Sequence, residues 1–323
     1  MVINSDNIAA LKSMDSNSID SCVTDPPYGL KFMGKKWDYD VPAVELWLEV
    51  LRVLKPGGHI LAFGGTRTYH RMVVNIEDAG FQIRDQIQWL YGSGFPKSHN
   101  LGDGWGTALK PASEPIVMAR KPLSEKTVAA NVLKWGTGGI NVDVCRIGTK
   151  EVLTSGRHIQ KKREYPSGYK DVNRKEFRQN PQGRFPANVL LDEYAAGALD
   201  QQSGAMKGVY NNTIMKGKPG TRDGSPVLLE QEASKGGASR FFYVAKASRR
   251  ERGEGNNHPT VKPIRLMEYL CRLITPPEGV ILDPFLGSGS TYVAALNLGF
   301  KCVGIERNSE YSEIATGRIN CQP

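Results

Sequence analysis

The sequence predicts an α/β fold, a doubly wound and mainly parallel sheet interrupted by an inserted basic region. Three observations lead there. Strand and helix patterns alternate through residues 1–120 and again through 257–323. A predicted strand in each half runs into a turn rich in Pro or Gly, Asp25-Pro26-Pro27-Tyr28-Gly29 in the first and Asp283 to Ser290 in the second. The charge is also uneven. Residues 1–145 carry 15 basic and 15 acidic side chains, residues 257–323 carry 6 of each, and residues 146–256 carry 21 basic against 12 acidic. The net charge of +9 therefore lies wholly in the middle. That segment is also the least periodic part of the chain. Two neutral flanks around a basic, irregular middle suit a scaffold with an inserted polyanion-contacting module, the alternative being a solvated basic surface.

Each element has its own signal. Ser18 to Thr24 reads as a short buried strand, and two consecutive prolines then forbid a continuing central strand because neither donates to a ladder. Val44 to Leu54 places apolar residues at helical spacing and stops at Lys55-Pro56-Gly57-Gly58. His59 to Phe63 is a buried strand closed by Gly64-Gly65, and Tyr69 to Ala79 a helix with Gly80 at its end. Phe81 to Trp89 and Glu114 to Ala119 read as two further strands, an antiparallel pair. In the last part, Pro263 to Ile274 is an amphipathic helix opened by proline. Val280 to Asp283 is a strand, Gly287 to Ser290 a turn, Thr291 to Leu298 a helix, and Lys301 to Glu306 a strand before a closing helix from Ser309.

Composition excludes several classes. Of 323 residues, 40% are apolar and 23% charged, ordinary globular usage that rules out wholesale disorder. No run approaches the roughly 18 apolar residues of a membrane helix. The start, Met1 to Asp6, lacks the basic and apolar regions of a secretory signal. Cys22, Cys145, Cys271, Cys302 and Cys321 are odd in number and never form C-x-x-C, so neither a disulfide framework nor a zinc cluster is expected, and a reducing cytoplasm is. No metal-ligand cluster is visible.

The turn Asp283-Pro284-Phe285-Leu286-Gly287-Ser288-Gly289-Ser290 lies between a buried strand and a helix, where backbone can approach a ligand closely. Glu306, ending the next strand, can accept both hydroxyls of a ribose. The third glycine of a nicotinamide fingerprint is missing, since Gly289 is followed by Ser290-Thr291-Tyr292. An acid just before the turn repels a pyrophosphate and suits a cationic group, such as the amino group of an amino-acid-like cofactor. A second glycine stretch, Gly29-Leu30-Lys31-Phe32-Met33-Gly34-Lys35-Lys36, nearly spells a phosphate-binding loop, but Lys36 stands where Ser or Thr must hold magnesium.

The Asp25 corner offers a carboxylate, a rigid carbonyl at Pro26 and an aromatic face at Tyr28. That set suits an exocyclic amine on a planar base, with Asp25 and the Pro26 carbonyl accepting its hydrogens while Tyr28 stacks on the ring. A rigid turn with a solvated Asp and a core Tyr is the plainer alternative.

Together the two turns, Asp-Pro-Pro-Tyr and Asp-Pro-Phe-x-Gly-Ser-Gly, resemble those of the S-adenosylmethionine-dependent amino-methyltransferases of DNA. The catalytic motif precedes the cofactor motif, as in the permuted β class. The resemblance covers residues 1–120 and 257–323. It implies a circularly permuted, Rossmann-like methyltransferase sheet of seven strands, with 1–120 the catalytic half, 121–256 a target-recognition region and 257–323 the cofactor-binding half. Asp25, Pro26 and Tyr28 would be catalytic, with Pro27 and Tyr28 against the base. Asp6, Asp25, His258, Thr260, Lys262, Asp283, Phe285, Gly287, Ser288, Gly289 and Glu306 would hold the cofactor. Of these, Asp6 would lie near the adenine, and the segment His258 to Pro263 would embrace the methionine part. No metal is implied.

The implied partner is double-stranded DNA, with room for a homodimer and a cognate restriction enzyme. Asp at the head of the tetrad resembles the adenine-N6 enzymes, whereas Ser is more typical of the cytosine-N4 enzymes, the close alternative. A non-catalytic nucleic-acid-binding protein keeping a vestigial fold is more remote. The protein-glutamine enzymes resemble Asn-Pro-Pro-Tyr with the cofactor motif first, and this chain has neither feature. In the middle region, Arg184-Phe185 and Arg240-Phe241-Phe242-Tyr243 interleave basic and aromatic residues, as phosphate- and base-contacting segments do, the equal alternative being small local core aromatics beside solvated arginines. Trp89 at a strand end is read as a core residue, with a place lining the base pocket the alternative.

Overall fold

The computed structural model describes residues 1–30, 38–94, 98–149, 182–205, 236–245 and 261–321. His258, Thr260, most of the Gly29–Lys36 stretch and much of the basic middle lie outside the described residues.

The flanks supply seven strands of one sheet: β1 (Val2–Asn4), β2 (Ile19–Thr24), β3 (Leu54–Phe63), β4 (Gln82–Leu90), β7 (Ser113–Arg120), β10 (Val280–Asp283) and β11 (Lys301–Glu306). Their spatial order is β1-β11-β10-β2-β3-β7-β4. Every pairing among them is parallel except those of β7, which runs antiparallel between β3 and β4. The middle region adds two more strands beyond the expected seven. β8 (Val189–Asp192) pairs parallel with the edge of β4, and β9 (Tyr243–Ala245) pairs parallel with β8. The physical reason is an edge to cover: Gln88–Leu90 of β4 would otherwise present an unpaired ladder. Strands of four and three residues leave too short a pattern to read from sequence. A small hairpin, β5 (Asn100–Gly102) with β6 (Trp105–Gly106), stands apart from the sheet.

Two apolar layers sandwich the central strands, whose successive side chains point to opposite faces. Val23, Leu61, Phe63 and Ile281 pack toward α6 (Ile264–Ile274) and α7 (Ser290–Asn297). Cys22, Ile60, Ala62 and Leu282 pack toward α1 (Asn7–Lys12), α2 (Val44–Val53) and α3 (Tyr69–Asp78). β2 is buried along its whole length, as a central parallel strand covered on both faces must be. The stop after α2 passes directly into β3, because Gly57 adopts φ +82° and a side chain there would meet the Asn131 amide. Asn131, on α4 (Val128–Trp135), and Thr137 both donate to the Pro56 carbonyl. Residues 121–149 are thereby tied to the sheet, and Cys145 joins the core.

Parallel β1, β2, β3, β10 and β11 all end at one edge. Because β7 is antiparallel, its beginning lies at that edge as well. Thr24, Asp283 and Glu306 are thus brought side by side from opposite ends of the chain.

Candidate active site

A cavity of about 890 Å³ opens at this edge, lined by both motifs. Asp6, Asp25, Pro26, Pro27, Tyr28, Lys262, Asp283, Phe285, Gly287, Ser288 and Glu306 all line it. Gly289 does not. It caps α7 at φ +86°, and a side chain there would crowd Ala315 of α8 (Ser309–Asn320), so its smallness serves helix packing.

The turn after β2 is held by a residue the sequence did not single out. Asp38, 2% exposed, accepts from the backbone N–H groups of Tyr28 and Gly29 through Oδ1 (2.7 and 3.0 Å) and of Leu30 through Oδ2 (3.1 Å). Thr68 closes the other side by donating to the Tyr28 carbonyl. Four hydrogen bonds from within the chain thus hold the backbone of Tyr28 to Leu30.

Beneath it lies a polar cluster. The Tyr28 hydroxyl lies 2.7 Å from Asp25 Oδ1 and 3.1 Å from Glu114 Oε2 and can donate to either. Lys262 Nζ reaches Asp25 Oδ2 at 2.9 Å, Glu114 Oε2 at 3.0 Å and the Tyr28 hydroxyl at 3.1 Å. It also stands 4.8 Å from the centre of the Phe63 ring. Burial alone would lower the Lys262 pKa, but the Asp25 and Glu114 carboxylates outweigh it and hold the ammonium above the usual lysine range. Burial, with those two carboxylates, pushes the Tyr28 phenol well up, so it stays neutral. Lys262, which the resemblance gives to the cofactor, thus stands among the residues of the Asp25 corner. Trp89, half-buried, packs edge-on to Phe63 against the core and does not line the cavity.

At the other end, Asp283 is 2% exposed and accepts from Thr24 Oγ1 at 2.7 Å and from the Phe285 N–H at 3.1 Å. Burial pushes its carboxyl up to about 6, against the opposing hydrogen bonds of Thr291, Thr24 and Phe285. No cation pairs with it among the described residues. Glu306 accepts from the N–H of Gly287 and of Asn308, both at 2.8 Å, and burial raises its pKa as well. Arg318 donates to the Ser288 carbonyl and hydroxyl, pinning the glycine turn from outside. Asp6 caps α1 through the Ala9 N–H while lining the cavity.

One cavity thus joins a carboxylate–carbonyl–aromatic corner to an acid–glycine–acid cradle. A family model described as DNA methylase, of the N6/N4 type, matches residues 19–317. The chain belongs to the N6/N4 DNA methylase family. The match spans both motifs and the middle region between them.

Curated relatives include the Type II methyltransferase M.HindIII of Haemophilus influenzae, 24% identical over 379 aligned positions that cover 99% of this chain and 95% of the relative. M.HpaI of Haemophilus parainfluenzae, also a Type II methyltransferase, is 25% identical over 335 positions, covering 99% of this chain and 74% of that protein. Among solved structures, the cytosine-N4-specific PvuII DNA methyltransferase superposes with a TM-score of 0.53 at 16% identity, covering 98% of this chain and 85% of the other. The complex of M1.HpyAVI with S-adenosylmethionine gives 0.50 at 18% identity, covering 99% and 98%. These likenesses establish the Rossmann-like methyltransferase fold.

Sequence reading missed Asp38, Glu114, Thr24 and Thr291. Glu114 had a usable signal. It is a charge followed by five apolar residues, Pro115 to Ala119, and an antiparallel strand between parallel neighbours begins at the ligand edge. Asp38 had none, because a buried acid serving three backbone donors looks like any loop aspartate. Among the described residues, no group of three or more His, Cys, Asp or Glu is placed to hold a metal ion, and no helix is long and apolar enough to cross a membrane.

Proposed function

We propose that this protein is a site-specific DNA methyltransferase that transfers a methyl group from S-adenosylmethionine to the N6 amine of an adenine flipped out of duplex DNA. The observation that carries the reading is the shared cavity, in which the Asp25 corner and the Asp283–Glu306 cradle face one space although 258 positions separate the two aspartates. The residues present fit the cofactor. Asp283 is a buried acid without a cationic partner among the described residues, suited to an α-amino group, and Glu306 at a strand end suits ribose hydroxyls.

The cofactor supplies a sulfonium methyl, already an activated electrophile. The protein's part is orientation and electrostatics. Asp25, fixed from below by Tyr28 and Lys262, accepts one amine hydrogen. The Pro26 carbonyl, to which no described residue donates, accepts the other. Both stabilise the positive charge that grows on nitrogen, and each oriented acceptor is worth on the order of 3 kcal/mol. Pro27 and the Tyr28 ring hold the plane of the base. Flipping the base out of the duplex costs a few kcal/mol, offset by phosphate contacts from the basic region 121–256. There, Arg184 and Arg240 both lie over the Phe241 ring, with the guanidinium carbons 4.7 and 4.3 Å from its centre. Adenine is favoured over cytosine by the aspartate heading the tetrad. In this reading the scattered cysteines suit a reducing cytoplasm, the Type II relatives suit a restriction partner reading the same site, and the resemblance suits a homodimer.

Digesting methylated DNA to nucleosides and weighing the product tests the base: N6-methyl-2′-deoxyadenosine is expected, and N4-methyl-2′-deoxycytidine would reassign it. Asp25→Ala should keep cofactor binding and lose tritiated methyl transfer; normal turnover by that variant would remove Asp25 from the mechanism.

A further inference from the structure

The cluster below Asp25 holds more charge than that scheme uses. Lys262 Nζ has three hydrogens and finds three acceptors, on Asp25, Glu114 and Tyr28. The lysine side chain is 9% exposed and each carboxylate 19%. Two carboxylates, one ammonium and one neutral phenol leave a net charge of −1. Without Glu114, the ammonium would cancel Asp25, and a neutral pair would face the target amine.

Glu114 enters from β7, the one antiparallel strand of the sheet among the described residues, and belongs to neither sequence motif. We propose that Glu114 is a positioning residue that takes up the charge of Lys262, so that the cluster presents one net negative charge to the amine nitrogen. The inference rests on the methyl-transfer reading above. In that step the nitrogen lone pair forms the N–C bond while the C–S bond breaks with its electron pair left on sulfur. The nitrogen then releases one proton to water. Positive charge therefore appears on nitrogen during the step and is absent beforehand, so a net negative cluster favours the transition state over the bound substrate. Lys262 serves as the pin that fixes Asp25 and Tyr28, and Glu114 prevents the pin from neutralising the acceptor.

The test measures single-turnover methyl transfer to duplex DNA by the whole protein, with cofactor affinity and thermal unfolding recorded for each variant. Glu114→Gln keeps the shape and hydrogen-bonding capacity but removes the charge. It should slow transfer by about tenfold or more, the scale of one unit charge acting on a half-developed charge through an effective dielectric of about 20, while cofactor affinity stays within about twofold. Adding Lys262→Gln restores the net charge of −1 and should make E114Q/K262Q at least about fivefold faster than E114Q. A Glu114 that merely buttresses the fold predicts a double variant slower than E114Q. Glu114→Asp keeps the charge at poorer geometry and should also transfer faster than E114Q, which supplies the comparison if the double variant does not fold. Wild-type transfer by E114Q, or no recovery in E114D or a folded E114Q/K262Q, overturns the inference while leaving the enzyme's function intact. A wild-type protein that labels no DNA amine overturns the parent reading, and this one with it.

Discussion

Asp283 offers a quantitative test of how the cavity is built. Its buried carboxyl titrates at about 6 instead of the ordinary 3.8. The folded protein therefore holds this proton more tightly than the unfolded chain does. The stabilisation is complete below about pH 4 and is lost as pH rises through 6. At 1.36 kcal/mol per pH unit, ionising Asp283 costs the free protein at most about 3 kcal/mol at neutral pH. Asn has the same shape and keeps an acceptor for the Thr24 hydroxyl and the Phe285 N–H. Asp283→Asn should accordingly raise the stability of the free protein at pH 7.5, by up to about 3 kcal/mol, in urea unfolding. The gap should close as pH is lowered toward 4, where the wild-type carboxyl is protonated too. Calorimetry should show the opposite for S-adenosylmethionine, with affinity down at least tenfold because a neutral amide cannot pair with an ammonium. A stability gap that is zero or negative at pH 7.5, or one that does not narrow on acidification, would refute the reasoning.

Three further outcomes follow from other parts of the site. Asp38→Ala strands the N–H groups of Tyr28, Gly29 and Leu30, and at roughly 1–3 kcal/mol for each unsatisfied buried donor it should cost several kcal/mol in urea unfolding; a loss below about 1 kcal/mol would mean the turn is held elsewhere. Gly304→Ala places a methyl 2.6 Å from the buried Leu286 side chain, so denaturation should show a loss of about 1–3 kcal/mol and titration a weaker cofactor complex, whereas unchanged affinity would detach this strand from the cradle. Arg184→Ala should weaken duplex binding at every sequence tested and reduce the slope of log affinity against log salt by about 1; an unchanged slope would place Arg184 off the phosphates.

Both motifs were legible in the sequence because each pairs a strand end with residues that no central strand tolerates. The double proline after Asp25 and the two glycines after Asp283 mark the same edge of a parallel sheet, and the fold joins them there. The boundaries of β2, β10, β11 and α2 fell within a residue or two of expectation for a related reason: these segments are buried or amphipathic along their length, so period alone defines them. β3 was longer, since Leu54–Gly58 reads as a helix stop although its backbone already pairs, with Leu54 opposite Ile19.

What stayed hidden were contacts made across the fold. Lys262 was visible in a motif, but its place between Asp25 and Glu114 depends on residues 237 and 148 positions away. Only a finished sheet brings the start of an antiparallel strand beside the ends of parallel ones. The charge balance at the amine therefore depends on topology as much as on motif. A relative with the same Asp-Pro-Pro-Tyr turn but no acid at the start of that strand would need another anion there, or no lysine, to face the amine with the same field.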